Sequence, residues 1–275
     1  MRRGGAKMAS KLRAPLILSG AVAVLAAASS VVPFFVDLYR RDPPFALGAQ
    51  QGTDLVTLIL GVPLLVTGMV LTMRGSARGI LFWIGMLEYM LYKFVYYLLG
   101  AQMNELFLVY AAICALSLLA VISAMNNAWL TSIGSTFRRS TPARRVSLFM
   151  FLFAAVLAAL WTYLWHRTIF EGADAGMPAE AFHLIASVDL TIFVPIVLVV
   201  AAMLWRRTPM GYAQATSVMV MSTIYPLVLI ASAPFQANAG VEGAWTTVPL
   251  WAAMSAGSLL CAFSLLRNMQ NPKFG

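Results

Sequence analysis

The sequence predicts an all-α integral membrane protein with eight transmembrane helices, arranged as a 4+4 parallel tandem repeat. The first reason is composition: 61% of the 275 residues are hydrophobic and 11% are charged, whereas soluble domains are about half apolar and about a quarter charged. The second is a set of long apolar runs, and the third is an uneven distribution of basic residues. This composition excludes a cytosolic enzyme, a disordered chain and a nucleic-acid-binding module.

The apolar runs define the predicted spans. Crossing a hydrocarbon core of about 30 Å takes about 20 residues in a helix. Lipid offers the backbone no hydrogen-bond partner, and barrel strands are short and alternating, so each run is predicted to be a helix. The eight spans are roughly residues 15–35, 54–73, 80–101, 106–125, 146–166, 187–206, 212–233 and 247–266.

Basic residues set the predicted orientation, because short cytoplasmic loops are enriched in Lys and Arg. With eight spans both termini lie on one side, and that side holds 15 of the 19 basic residues. The other side holds Arg40, Arg41 and Arg167, and Lys93 lies within a span. We therefore expect a multi-pass protein of the bacterial inner membrane with both termini cytoplasmic. The 15 residues are Arg2, Arg3, Lys7, Lys11, Arg13, Arg74, Arg78, Arg138, Arg139, Arg144, Arg145, Arg206, Arg207, Arg267 and Lys273.

The first span has a second interpretation. Basic residues, an apolar stretch and the small residues from Ala26 to Ser29 are also typical of a cleaved signal peptide. The apolar region continues through Val36, which favours a helix that is retained.

Matches between the two halves predict the repeat. Asp54-Leu opens the second span and Asp189-Leu opens the sixth, and the segment that begins at Ala115 shares five of nine positions with the one that begins at Ala256. We therefore expect residues 1–125 and 146–275 to superpose, with Asp54 over Asp189. A basic cytoplasmic connector, 126–145, separates them. Its apolar residues at helical spacing indicate either a short helix in the membrane interface or a plain linker: Trp129, Leu130, Ile133 and Phe137.

The third span carries the candidate binding site. On a helical wheel its polar residues share one half, while the half that includes Leu87, Leu91 and Phe94 is predicted to point outward, toward lipid or apolar neighbours. A charged residue inside the membrane costs about 3 kcal/mol on insertion scales, so the polar half must face protein or water. The candidate binding residues are Glu88, Tyr89, Tyr92, Lys93 and Tyr96, with Asp54 and Asp189 on the neighbouring spans.

Two interpretations of this polar face stay open. It could line a pocket between the halves, or it could form a polar network that locks helices together. Lys93 could reach Asp54 or Asp189, or it could snorkel between Tyr96 and Tyr97. Each Asp could instead cap the start of its helix. If the face is a lock, Glu88→Gln should lower stability; if it is a pocket, the change should remove function instead.

Catalytic and cofactor patterns are scarce. His166 and His183 could bind a metal together with a carboxylate such as Asp189, but no characteristic spacing supports this. No phosphate-binding loop or nucleophile motif occurs, and we expect neither a bound metal nor a cofactor. The predicted partners are the lipid bilayer, a small molecule or ion, and another membrane protein, with no nucleic acid.

Three stretches of the chain resemble a family of uncharacterised bacterial multi-pass membrane proteins. The resemblance covers spans two to four well and the second half loosely, and it implies the fold but no activity. This chain departs from the family pattern at Lys93, where Asn is usual, and around Glu88. The stretches are Gly52-Thr-Asp54-Leu-Val-Thr57, Arg74-Gly-Ser76 and Tyr89-x-x-Tyr92-x-x-x-Tyr96-Tyr97-x-x-Gly100-x-x-x-Asn104.

Three functions are consistent with these features. The first is a transporter or receptor for a small molecule or an ion, with its site on the polar face of the third span. The second is an accessory or scaffold subunit of a membrane complex, with no site of its own. The third is an intramembrane enzyme that modifies lipid through the outer His and carboxylate residues. The sequence favours a function other than catalysis.

Overall fold

The computed structural model describes residues 2–125 and 128–270, with side chains described for 12–125 and 130–270. This part of the chain is helical, apart from its connections and an isolated antiparallel bridge between Phe137 and Met269. The predicted all-α class is confirmed. The helices are α1 (Arg2–Val31), α2 (Pro44–Val56), α3 (Val62–Met73), α4 (Ala77–Gly100), α5 (Phe107–Met125), α6 (Ala128–Gly134), α7 (Ala143–Phe170), α8 (Ala179–Val188), α9 (Val194–Trp205), α10 (Pro209–Asn238) and α11 (Val248–Arg267).

The chain is a polytopic membrane protein, because seven helical segments of its described part are long and apolar enough to cross a membrane. Each of the eight predicted spans overlaps a helix, but α4, the predicted third span, is not among these seven. The polar residues of α4 lower its hydropathy, so the eighth span stays a prediction. The seven are Leu12–Phe34, Pro44–Met73, Phe107–Met125, Ala143–Phe170, Ala179–Trp205, Pro209–Asn238 and Val248–Arg267.

Two of the membrane segments contain a wide π-helical turn. Thr57–Gly61 joins α2 to α3, and Asp189–Phe193 joins α8 to α9. Pro63 and Pro195 follow at the second position of the next helix. Proline has no backbone N–H, so one hydrogen bond of the regular helix is missing. A π turn accommodates this break because its hydrogen bonds span one extra residue and the helix continues.

The segments that follow the two π turns are built alike. α3 and α9 each have 12 residues, and the next helix is capped by a hydroxyl, from Ser76 or Thr208, that accepts a glycine N–H three residues on. Matching features lie 132 positions apart, as from Thr57 to Asp189. Asp54 lies three residues before the first π turn, whereas Asp189 is the first residue of the second, and the superposition of the two halves stays a prediction.

α4 lies at the centre of the bundle, where it contacts α3, α5 and α10. Leu87 and Phe94 are both 0% exposed, and Leu91 is half-buried. The prediction that this face points outward is therefore wrong for Leu87 and Phe94, which pack against apolar neighbours. The physical reason is that neighbouring helices present a surface as apolar as lipid tails, so an apolar face packs against either.

The helices of the two halves pack to different extents. α2 lies so close to α10 that a Cβ at Gly48 or Gly52 would be 2.5 Å from a backbone nitrogen of α10. Helix α8, which also precedes a π turn, approaches α4 near Gly100 through a leucine side chain. α7 and α11 meet where the ring of Phe149 covers Gly257. This unequal packing leaves a cavity beside α7 and α8.

The basic loops meet at one end of the bundle. Arg78 donates to the carbonyl oxygen of Met269 at 2.8 Å, and Arg207 donates to that of Arg139 at 2.9 Å. The sequence assigned all of these loops to the cytoplasmic side. Basic residues before position 12 and after position 270 belong to the same predicted side but lie outside the described side chains.

The connector between the halves packs on the protein. Leu130 and Ile133 of α6 are buried, and the ring of Phe137 stacks on Tyr212 with centroids 4.9 Å apart. Of the two alternatives for this stretch, the structure shows a short helix, and its described apolar side chains are covered by the protein. The side chain of Trp129 lies outside the described residues.

Candidate functional site

A cavity of about 580 Å³ lies between α2, α4, α7, α8, α10 and α11. It opens where α4 ends, among the connections 171–178 and 239–247. Its wall follows α4 from Ala101 to Tyr92, a distance of about 14 Å at the helical rise per residue. The cavity therefore reaches the polar residues of the predicted third span.

The cavity brings together four of the seven predicted binding residues. Tyr92, Lys93 and Tyr96 of α4 line it from one side, and Asp189 lines it from the π turn after α8. The residues come from different halves of the chain, so this part of the site depends on how the halves pack. Asp54, Glu88 and Tyr89 lie outside the lining.

Asp189 accepts hydrogen bonds from three aromatic side chains. The Tyr92 hydroxyl donates to Oδ1, the Tyr96 hydroxyl approaches the same oxygen at 2.9 Å, and Nε1 of Trp161 donates to Oδ2 at 2.7 Å. The side chain is 5% exposed. None of the described basic side chains lies within ion-pair distance of it. Asp189 is thus a buried, hydrogen-bonded carboxyl group with no cation beside it among the described side chains.

Asp54 has different surroundings. The ammonium of Lys93 lies 4.0 Å from Oδ1, and the hydroxyls of Tyr39 and Tyr97 donate to the carboxylate at 2.6 and 3.1 Å. The same ammonium lies 3.8 Å from the ring centroid of Phe94. Of the two partners predicted for Lys93, the structure therefore shows Asp54. Burial, and then the Asp54 carboxylate, raise the pKa of Tyr39 above its ordinary value, so Tyr39 acts as a neutral donor.

Neither aspartate caps a helix. α2 begins at Pro44 and α8 begins at Ala179, ten residues before Asp54 and Asp189 respectively. Both helices begin before the apolar runs from which the spans were predicted. Hydropathy does not detect their first turns, which lie next to polar connections. The carboxyl oxygens accept hydrogen bonds from side chains of other elements, so the capping interpretation is wrong for both.

Glu88 lies at the contact between α4 and α10. Its Oε1 accepts a hydrogen bond from Ser217 at 3.0 Å, and its Oε2 has no partner among the described residues. Tyr89 packs against the π turn at Gly61. No hydrogen bond or ion pair joins Glu88 to Lys93 or to a tyrosine among the described residues, so the polar residues of α4 lie in two separate environments.

We expect Glu88→Gln to leave the free energy of unfolding within about 1 kcal/mol of wild type, or to raise it. The amide can still accept from Ser217, and the change removes a charge that has no cation beside it. Unfolding in mixed detergent would measure this, with the exposed Glu180→Gln as the control. A loss above about 2 kcal/mol would support the lock interpretation for Glu88.

The histidines do not join the carboxylates. His166 pairs with Glu171 at 3.4 Å on the outer part of α7, and His183 is exposed on α8. Within the described ranges, no three metal-ligating side chains lie close enough to hold an ion. The convergence of His166, His183 and Asp189 that a lipid-modifying enzyme would need is therefore not found.

Sequence reasoning missed several partners of these carboxylates. Trp161 binds Asp189, Tyr39 binds Asp54, and Tyr225 packs against the Tyr92 ring with centroids 4.6 Å apart. Trp161 and Tyr225 carry a polar atom inside an apolar span, which is a usable signal. Tyr39 precedes its span in a polar loop, where nothing in the sequence distinguishes it.

Comparison of the chain with protein-family models, with curated proteins and with solved structures found no match. The resemblance to bacterial multi-pass membrane proteins stays a prediction. The function must therefore be argued from the cavity and the residues around it.

Proposed function

We propose that the protein binds a small molecule or an ion in this cavity, as a transporter or a receptor of the bacterial inner membrane. The observation that carries the proposal is a cavity of about 580 Å³ that reaches Asp189, Tyr92 and Tyr96. Ligand pockets have about this volume, with mostly apolar walls and a few convergent polar groups. An accessory subunit would need no such opening to a buried carboxyl group.

The proposal includes eight spans. α4 has 24 residues, so it is about 36 Å long and can cross the hydrocarbon core. It lies inside the bundle, where its charges are covered by protein rather than by lipid. Eight spans place both termini on the side of the basic loops, and the cavity then opens away from the cytoplasm.

The proposal also includes the tandem repeat. Its support is the shared construction around the two π turns, with the prolines at 63 and 195 and the hydroxyl caps at Ser76 and Thr208. Transporters built from repeats commonly bind substrate where the repeats meet, near interrupted helices. Tyr92 and Asp189 come from different repeats and meet beside one of the π turns.

Cysteine labelling in intact cells tests both the opening and the orientation. In a background with Cys114 and Cys261 replaced by alanine, Ile185→Cys lines the cavity and should react with an impermeant maleimide. Ile192→Cys is the matched control, because Ile192 is 51% exposed but lies outside the lining. Ser140→Cys, on a basic loop, should react after the membrane is opened.

The results separate two failures. If the Ile185 position reacts no faster than the Ile192 position even after the membrane is opened, the cavity offers no aqueous path, and the proposed binding function falls. Reaction at the Ser140 position in intact cells would overturn the orientation but leave the cavity in place.

A further inference from the structure

The charge environment of the cavity indicates what kind of ligand it binds, an argument that rests on the binding function proposed above. The two buried aspartates differ: Asp54 has the Lys93 ammonium beside it, whereas no described basic side chain is in ion-pair distance of Asp189. Lys93 is the single basic residue among the described cavity lining. Its ammonium lies by Asp54 and over the Phe94 ring.

The hydrogen bonds at Asp189 suit an ionised carboxylate. Nε1 of Trp161 is a donor only, so Oδ2 must accept the hydrogen bond that it makes at 2.7 Å. The hydroxyls of Tyr92 and Tyr96 meet Oδ1. A carboxylate has about four acceptor positions, so the three contacts leave room for another donor. These three donors are neutral, so they orient the carboxyl group and bring no positive charge to it.

An uncompensated charge in a membrane is costly, and buried charges are paired as a rule. Asp189 lines the cavity, so a cation that enters the cavity can pair with it. At the opening, Asp174 and Glu242 also line the wall. Three carboxyl groups therefore line the path of a ligand, whereas the ammonium of the one lysine in the described lining lies 4.0 Å from the carboxylate of Asp54.

Aromatic rings surround the carboxylate. Tyr92, Tyr96 and Tyr225 pack edge to face or stacked with centroids 4.6 to 5.9 Å apart, and Phe193 lies 5.3 Å from Tyr92. These rings and that of Trp161 line the cavity. The faces of such rings attract organic cations, with tryptophan the strongest. A bare metal ion would instead require several oxygen ligands.

We infer that the cavity binds an organic ammonium ion with an apolar body. Its positive group lies beside Asp189, among the tyrosines and Trp161. The apolar body lies against the other lining residues, such as Phe153, Leu157 and Trp251. The carboxylate and the rings select for positive charge, and the apolar walls select against small hydrated ions.

Charged thiol reagents test this inference on the Ile185→Cys protein, whose cysteine is one helical turn before Asp189. The two reagents are methanethiosulfonates of similar size, one carrying trimethylammonium and the other sulfonate. We divide the reaction rate of the cationic reagent by that of the anionic reagent. We expect this ratio to be about tenfold higher at the Ile185 position than for a free thiol in solution, because a focused negative potential concentrates cations. Asp189→Asn should abolish this preference, and Asp37→Asn, exposed outside the cavity, should keep it.

Competition by a reversible ligand provides the second measurement. Benzyltrimethylammonium should slow labelling at the Ile185 position in a saturable way. Neopentylbenzene, its uncharged isostere, should not do so at equal concentration. Competition by the cation, with loss of competition in Asp189→Asn, is the expected result.

Each alternative outcome has a distinct meaning. If neither reagent labels the Ile185 position, the cavity is closed and the proposed function falls together with the inference. If both reagents label it at the free-thiol ratio, the cavity stands and the cation inference is overturned. A preference that survives Asp189→Asn overturns the role of Asp189. Cation preference without competition by benzyltrimethylammonium overturns the organic ligand in favour of a small ion or a proton.

Discussion

Replacing Lys93 by methionine is expected to lower the free energy of unfolding by about 3–5 kcal/mol, the usual cost of removing one partner of a buried ion pair. Lys93 is 2% exposed and Asp54 is 2% exposed, and their charged groups are 4.0 Å apart. Methionine keeps the length and apolar character of the lysine stem. The loss would therefore come from leaving the Asp54 carboxylate without a cation, and not from a cavity.

The double variant Lys93→Met with Asp54→Asn is the control. The amide oxygen of asparagine can still accept from Tyr39 and Tyr97, and no charge remains at the site. Stability should return most of the way to wild type, because replacing both partners of a buried pair is often neutral. Unfolding by added dodecyl sulfate, followed by tryptophan fluorescence, would measure all the variants. If the free energy of unfolding of Lys93→Met alone lies within about 1 kcal/mol of wild type, the ion pair between Lys93 and Asp54 contributes little to stability.

Hydropathy predicted where the chain is helical in the membrane, because the cost of an unpaired backbone in lipid leaves no other structure. It could not predict what surrounds each helix. The apolar half of α4 was predicted to point outward, yet Leu87 and Phe94 are fully buried. Lipid and neighbouring helices are equally apolar, so periodicity separates polar from apolar faces and does not separate the outside of a bundle from its centre.

The candidate site was predictable in part for a related reason. Charged residues inside a span are costly, so Lys93, Asp54 and Asp189 stood out in the sequence. Their pairing depends on distances between helices that no local pattern encodes. Glu88 is also a charged residue within a predicted span, yet it accepts a hydrogen bond from Ser217 and lies outside the cavity lining. The cavity itself results from the unequal packing of the halves, which depends on a few close backbone contacts.

The closest of these contacts lead to the second prediction, that Gly52→Ala destabilises the protein by about 1–3 kcal/mol, the usual cost of overpacking. A Cβ at Gly52 would lie 2.5 Å from the backbone nitrogen of Ser232 and 2.6 Å from its Oγ. Backbone atoms cannot turn aside as a flexible side chain can, so α2 and α10 must separate. Small residues at such positions are what allow helices in membranes to approach closely.

Gly20→Ala is the matched control, since Gly20 lies inside α1 and a Cβ there would meet the tip of Met69 at an ordinary 3.8 Å. Alanine is about 1 kcal/mol better than glycine within a helix, so this variant should be as stable as wild type or more so. The same substitution is thus expected to have opposite signs at the two positions. Thermal unfolding in detergent would compare them. If Gly52→Ala also stabilised the protein, the close contact between α2 and α10 would be contradicted, and with it the packing difference that forms the cavity.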